Sequence, residues 1–167
     1  MTNGSSTVVL MCGLPGAGKT TYARALVRRG YVRLSIDEVV WRRLGQRDAG
    51  RVLEPDAFER LKDEIRAEQR RRLVELVRAG RDVVVGYSFW SRAARDDYKA
   101  LVESNGGRWE LIHLKVDRAT LEARLAVRNE QCGADAVTVD EQLLAGYVAK
   151  FEEPVGEGEQ VVLPSAG

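Results

Sequence analysis

The amino-acid sequence predicts a single α/β domain over residues 1–167, with residues 1–7 as a flexible start. Short apolar, β-branched runs alternate with longer segments whose apolar residues recur at helical spacing. Glycine stands at the end of most of the helical segments, where a C-cap belongs. The first apolar run passes straight into Gly13-Leu14-Pro15-Gly16-Ala17-Gly18-Lys19-Thr20, a complete G-x-x-x-x-G-K-[ST] pattern followed by an amphipathic segment.

The elements follow in order. Residues 8–12 are short, apolar and β-branched, as a central strand buried on both faces requires. A helix runs from Lys19 to Arg29 with Tyr22, Ala23, Leu26 and Val27 on its apolar side, and Gly30 ends it. The second strand spans Tyr31 to Ile36. Ser35 with Glu38 has the form of a capping box, opening a helix to Leu44 that stops at Gly45. Residues 45–55 are polar, with two glycines and a proline, and read as a surface loop. Asp56 and Glu59 repeat the capping pattern before a long helix from Ala57 to Ala79. Residues 83–85 form the third strand, and Ser91 begins a helix to Glu103 that ends at Asn105-Gly106-Gly107. Trp109 to Val116 is the fourth strand, and Asp117 caps a helix to Asn129. Residues 130–137 form a loop containing Gly133. Thr138 and Glu141 open a helix through Phe151, and residues 160–163 form a last edge strand. This alternation implies a parallel sheet with helices on both faces.

Composition narrows the function classes. No apolar run approaches the roughly 20 residues of a membrane span, and the start has no signal-peptide pattern, so a cytoplasmic protein is expected. Cys12 and Cys132 form no disulfide framework and no zinc spacing; Cys12 reads as a small buried hydrophobe. With 26 basic and 25 acidic residues, a broad electrostatic footprint for nucleic acid is missing.

The glycine-rich loop carries the chemistry. Its glycines let backbone N–H groups turn inward around a phosphate, and the following helix aims its positive end at the same place. Lys19 then reaches the β- and γ-phosphates of a nucleotide and the Thr20 hydroxyl ligates magnesium. No N-K-x-D pattern for guanine is present, so a GTPase switch is disfavoured and a small kinase leads.

Ligands of open α/β sheets gather at the carboxyl ends of the strands, which selects further candidates. Asp37, after the second strand, is a general base, a water-mediated magnesium ligand, or an acid favoured by the helix dipole. Tyr87, Ser88, Phe89 and Trp90, with Arg92 and Arg95 on the next turn, form an acceptor pocket or else pack as core with solvated arginines. Arg124 and Arg128 share one helix face, as lid arginines or as a solvated pair. His113 lies within a strand and reads as structural.

Together these segments resemble the small stand-alone P-loop kinases of the AAA-domain, zeta-toxin, chloramphenicol-phosphotransferase and polynucleotide-kinase group. The matching stretches are residues 11–20, 34–39, 89–96, 121–129 and 151–154. The resemblance implies a P-loop fold with a five-stranded parallel sheet of order 2-3-1-4-5, flanked by helices and carrying an arginine-bearing lid. It implies that Asp37, Lys19 and Arg128 are catalytic. Gly13, Pro15, Gly16, Ala17, Gly18, Lys19, Thr20, Thr21 and Arg124 would bind nucleotide, and Thr20 and Asp37 would hold the metal. Trp41, Tyr87, Ser88, Phe89, Trp90, Arg92 and Arg95 would line the acceptor site. The chain departs from the pattern at Gly86, where relatives usually carry an aspartate. It departs again at Val40 and Trp41, where many carry an arginine. The expected activity is transfer of the γ-phosphate of ATP, with Mg2+, to a hydroxyl of a sugar, nucleoside or antibiotic, as in a self-resistance kinase. The alternatives are a polynucleotide 5′-hydroxyl kinase or a regulatory, toxin-type nucleotide binder. A small-molecule acceptor, no membrane partner and a monomer or homodimer complete the expectation.

Overall fold

The computed structural model describes residues 4–130 and 141–163. Strand β1 (Thr7–Cys12) is buried along its whole length. It pairs in parallel with β3 (Val83–Val85) on one side and β4 (Arg108–Leu114) on the other, so that Leu10 lies opposite both Val85 and Leu111. Strands β2 (Val32–Leu34) and β5 (Glu159–Val162) flank these, giving a five-stranded parallel sheet of order β2-β3-β1-β4-β5. That is the order the resemblance implies.

The helices are α1 (Lys19–Val27), α2 (Ile36–Arg43), α3 (Ala49–Val52), α4 (Pro55–Arg78), α5 (Arg92–Ser104), α6 (Arg118–Asn129) and α7 (Glu141–Lys150). Side chains alternate across a strand, so β1 feeds two cores. Val8, Leu10 and Cys12 meet Leu73, Leu76 and Val77 of α4 and Tyr98 and Val102 of α5. Val9 and Met11 meet Ala23 and Leu26 of α1, Leu121 and Leu125 of α6, and Leu144 of α7. Burying a Leu or Val side chain contributes about 1.5–3 kcal/mol, and an unbroken apolar run is what two such layers demand. A third cluster of Ile36, Val40, Ala49 and Ile65 fastens α2 and α3 to α4. Among the described residues no helix is long and apolar enough to cross a membrane.

Several boundaries move, each for a local reason. The Thr7 N–H donates to Asp82 Oδ1 at 2.9 Å and buried Ser6 bonds the Arg81 carbonyl, so residues 6 and 7 belong to the sheet, not to a flexible start. Strand β2 stops at Leu34 because Ser35 turns out to cap α2, its Oγ accepting the Glu38 N–H at 3.3 Å. The segment read as a loop over 45–55 contains α3, which hides Ala49 against Ile65. Helix α4 starts at Pro55 and does not use the Asp56/Glu59 box. Proline at the first helical position has its φ preset and lacks the N–H that a cap would satisfy. Strand β4 begins and ends slightly earlier than predicted, at Arg108 and Leu114, and β5 is shifted one residue earlier. The predicted loop around Gly133, Cys132 and the Thr138 cap lie outside the described residues.

Candidate active site

The carboxyl end of β1 runs into the phosphate loop. Gly13 donates its N–H to the Ser88 carbonyl at 3.2 Å, tying the loop to the end of β3. Gly18 is the N-cap of α1 at φ 98° and supplies no side-chain cap. The first-turn N–H groups of α1 thus point into the loop, where a helix end attracts an anion. Lys19 Nζ donates to the Gly13 and Leu14 carbonyls, both at 2.9 Å, holding its ammonium over the loop. Ala17 is buried, Pro15 and Thr20 are half-buried and Thr21 is exposed on the first turn.

Arg124 reaches the same loop from α6, donating from Nη1 to the Gly16 carbonyl at 3.2 Å across 108 residues of sequence. This brings together the phosphate loop and one of the two predicted lid arginines. The side chain of Arg128, one turn further along α6, lies outside the described residues. Gly16 itself is at φ +83°, and a Cβ there would meet Leu125 Cγ at 3.2 Å. Gly16→Ala is therefore expected to cost about 1–2 kcal/mol from the left-handed backbone alone. It should also shrink the rise in melting temperature brought by a nucleoside triphosphate. Scanning calorimetry with and without the nucleotide reads both effects.

Asp37 is exposed in the first turn of α2 at the carboxyl end of β2. Since Ser35 performs the capping, the Asp37 carboxylate is not needed for the helix start. Half-buried Trp41 follows one turn later. Among the described residues no group of three His, Cys, Asp or Glu side chains could cage a metal ion.

The β3–α5 connection corrects half of the predicted acceptor pocket. Phe89 is 4% exposed and sits in the core against Tyr87 and Tyr98, with ring centroids 5.5 and 5.0 Å away. The Tyr87 hydroxyl donates to Gln69 Oε1 at 2.6 Å, and burial pushes its pKa up. Arg95 is fully buried: its Nε and Nη2 donate to the two Glu157 carboxylate oxygens, both at 2.9 Å, and its Nη1 donates to the Phe89 carbonyl at 2.7 Å. Tyr87, Phe89 and Arg95 are thus occupied in structural contacts, because the apolar stripe of α5 faces the sheet and carries Arg95 inward with it. Trp90, half exposed, and exposed Arg92 remain at the surface, and Ser88 turns its carbonyl to Gly13.

Residues 151–154 stand among the matching stretches, but sequence reasoning assigns no role to the segment that holds this loop. Glu152 accepts the Arg92 N–H at 2.7 Å through Oε2, its own N–H donates to the Trp90 carbonyl at 2.8 Å, and Lys99 Nζ donates to the Glu157 carbonyl at 2.8 Å. Cys12 is buried, and desolvation pushes its thiol up to about 11 despite Arg95 and Lys19 nearby, so it is a packing residue as expected. His113 is buried against Phe151, and burial holds its pKa down.

The comparisons with known proteins agree with this geometry. No curated protein sequence matches the chain. Solved structures similar to it include a proposed kinase from Chloroflexus aurantiacus, at TM-score 0.71 and 16% identity over 96% of this chain and 85% of that one. Kti12 of Chaetomium thermophilum, in complex with ADP-AlF3, gives TM-score 0.64 and 15% identity over 93% and 88%. A gluconokinase from Sinorhizobium meliloti gives TM-score 0.59 and 19% identity over 95% and 82%. At these identities the likeness is one of fold, the P-loop fold that kinases use. The AAA domain family model matches residues 8–154, which takes in every strand but β5, the phosphate loop, Asp37 and both α6 arginines. The chain is a member of the AAA domain family.

Proposed function

We propose that the protein is an ATP-dependent phosphotransferase acting on a hydroxyl of a small molecule. The observation that carries this reading is the exposed Asp37 just after β2, at the same carboxyl edge of the parallel sheet as the phosphate loop at the end of β1. Between them stands the end of β3 at Gly86, which packs beside the Leu34 carbonyl of β2. The loop N–H groups and Lys19 hold the terminal phosphates of ATP, and Arg124 fastens the loop from outside. Asp37 takes the proton of the acceptor hydroxyl as its oxygen bonds to the γ-phosphorus, and the bond to the ADP oxygen breaks. Mg2+, held by Thr20 with Asp37 through water, would neutralise phosphate charge there.

The near balance of 26 basic and 25 acidic residues supports a small acceptor over a nucleic-acid strand. The half-exposed Trp90 and half-buried Trp41 suit a ring-bearing acceptor such as a sugar, nucleoside or antibiotic. Incubating the protein with γ-labelled ATP, Mg2+ and a panel of such compounds tests the reading. Label transferred to a hydroxyl compound supports it. Label moved only to 5′-hydroxyl oligonucleotides overturns the acceptor class, and tight ATP binding with no transfer to any compound points to a regulatory role.

A further inference from the structure

A cleft of about 430 Å3 runs along the outer edge of β2, lined by Arg24, Val27 and Arg28 from α1, Arg33 from β2, and Ser35, Glu38, Val39 and Arg42 from α2, with Gln69 of α4. None of these residues belongs to the phosphate loop. Four arginines face one carboxylate there, and that carboxylate is already engaged: Arg33 Nη1 donates to Glu38 Oε2 at 3.1 Å. Several other arginines are paired, Arg43 with Glu64 and Glu68, Arg66 with Asp63, and Arg70 with Asp97 through two hydrogen bonds. Among the described residues, Arg24, Arg28 and Arg42 reach no carboxylate within 4.0 Å. Converging guanidinium groups across a concave surface repel one another unless an anion joins them, and guanidinium is the side chain best shaped for phosphate or carboxylate. Val27 and Val39 supply apolar wall, and the volume falls in the range of small-ligand sites.

We propose that this cleft binds a small polyanion carrying two or more phosphate or carboxylate groups, at a site separate from the phosphate loop. Arg24 and Arg28, one helical turn apart, take one anionic group and Arg42, across the cleft, takes another. A short cleft of this volume on an otherwise charge-balanced chain favours a compact ligand over a nucleic-acid strand, which would need an extended basic track. The site does not depend on the phosphotransferase reading, since no residue is shared with it.

Tripolyphosphate is the probe, and Lys19→Ala supplies a background in which the phosphate loop is weakened. By titration calorimetry, binding of tripolyphosphate should persist in Lys19→Ala and fall at least tenfold when Arg28→Ala and Arg42→Ala are added. The same pair of substitutions in the unaltered chain should leave MgATP affinity within twofold. Because both arginines are exposed, the substitutions should leave the melting temperature nearly unchanged, and Arg28→Lys with Arg42→Lys should recover part of the binding. Loss of all tripolyphosphate binding in Lys19→Ala alone would falsify the proposal. So would binding indifferent to the arginine substitutions, or a single-stranded oligonucleotide that displaces tripolyphosphate at far lower concentration.

Discussion

Asp37→Asn is expected to lower phosphoryl transfer by about 10²–10⁴-fold, the span associated with a positioned general base. MgATP affinity should stay within a few-fold of the unaltered protein. The substitution is clean on structural grounds. Asparagine has the same shape, and the start of α2 rests on the Ser35 hydroxyl and its bond to the Glu38 N–H, not on Asp37. The side chain is exposed, and the helix start does not depend on it. What the amide lacks is the capacity to take a proton from the acceptor. Lys19→Ala should fail differently, because its ammonium spans the loop carbonyls of Gly13 and Leu14 and belongs to phosphate binding. There the nucleotide-induced rise in melting temperature should vanish together with turnover. Turnover of Asp37→Asn equal to that of the unaltered protein would remove Asp37 from the base role.

How far the site was readable follows from the range of the interactions that build it. The phosphate loop, the Ser35 cap and the Ser91 cap each depend on residues within about one helical turn, and all three stand where the pattern places them. Strand order needed the resemblance, since nothing within 83–85 says that these residues lie between β1 and β2. Arg124 was readable as a lid candidate, but its bond to Gly16 depends on how α6 is set against the loop. The acceptor segment misled for a simple reason. Arg92 and Arg95 look alike as letters, yet Arg95 shares the i, i+3, i+4, i+7 stripe of Tyr98, Lys99 and Val102, all of which are buried. That stripe was the available signal. Its partner Glu157 lies 62 residues away between two glycines, and no local pattern marks it. The β2-edge cleft was equally hidden, since Arg28 and Arg42 come to line one cleft only once α1 and α2 are placed in the fold.

Arg95→Ala is expected to destabilise the fold by about 3–5 kcal/mol, the cost of leaving one partner of a buried ion pair behind. The pair is dry, with side chains 0% and 2% exposed, and its two parallel hydrogen bonds give it the geometry that offsets desolvation. Without the guanidinium, the ion-pair partner left to the Glu157 carboxylate among the described residues is Lys99, 3.8 Å from Oε1. The Phe89 carbonyl loses its donor too, at a residue held at φ 44°, a conformation that costs a non-glycine residue about 1–3 kcal/mol and persists only where neighbours enforce it. Removing both charges with Arg95→Leu and Glu157→Leu should recover much of the loss, which separates a stranded charge from a missing volume. The pH dependence gives a second readout. In the unaltered protein the Arg95 hydrogen bonds hold the Glu157 pKa below its ordinary value, against the opposing effect of burial. That contribution is complete above the unfolded-state pKa, about 4.3, and is lost as pH falls through the lower folded value. In Arg95→Ala, burial acts with much less opposition and raises the Glu157 pKa. Glu157 then destabilises the fold as pH rises, so its contribution to the slope of stability against pH reverses. Urea denaturation of both proteins from pH 7 to pH 4 measures it: the gap between them should narrow steadily toward the acid end. A gap that stays constant across that range would mean that Arg95 acts through packing and not through its charge. The effect should reach the phosphate loop as well, because Ser88, next to Phe89, gives its carbonyl to Gly13. Nucleotide affinity in Arg95→Ala should therefore fall even where the protein is still folded.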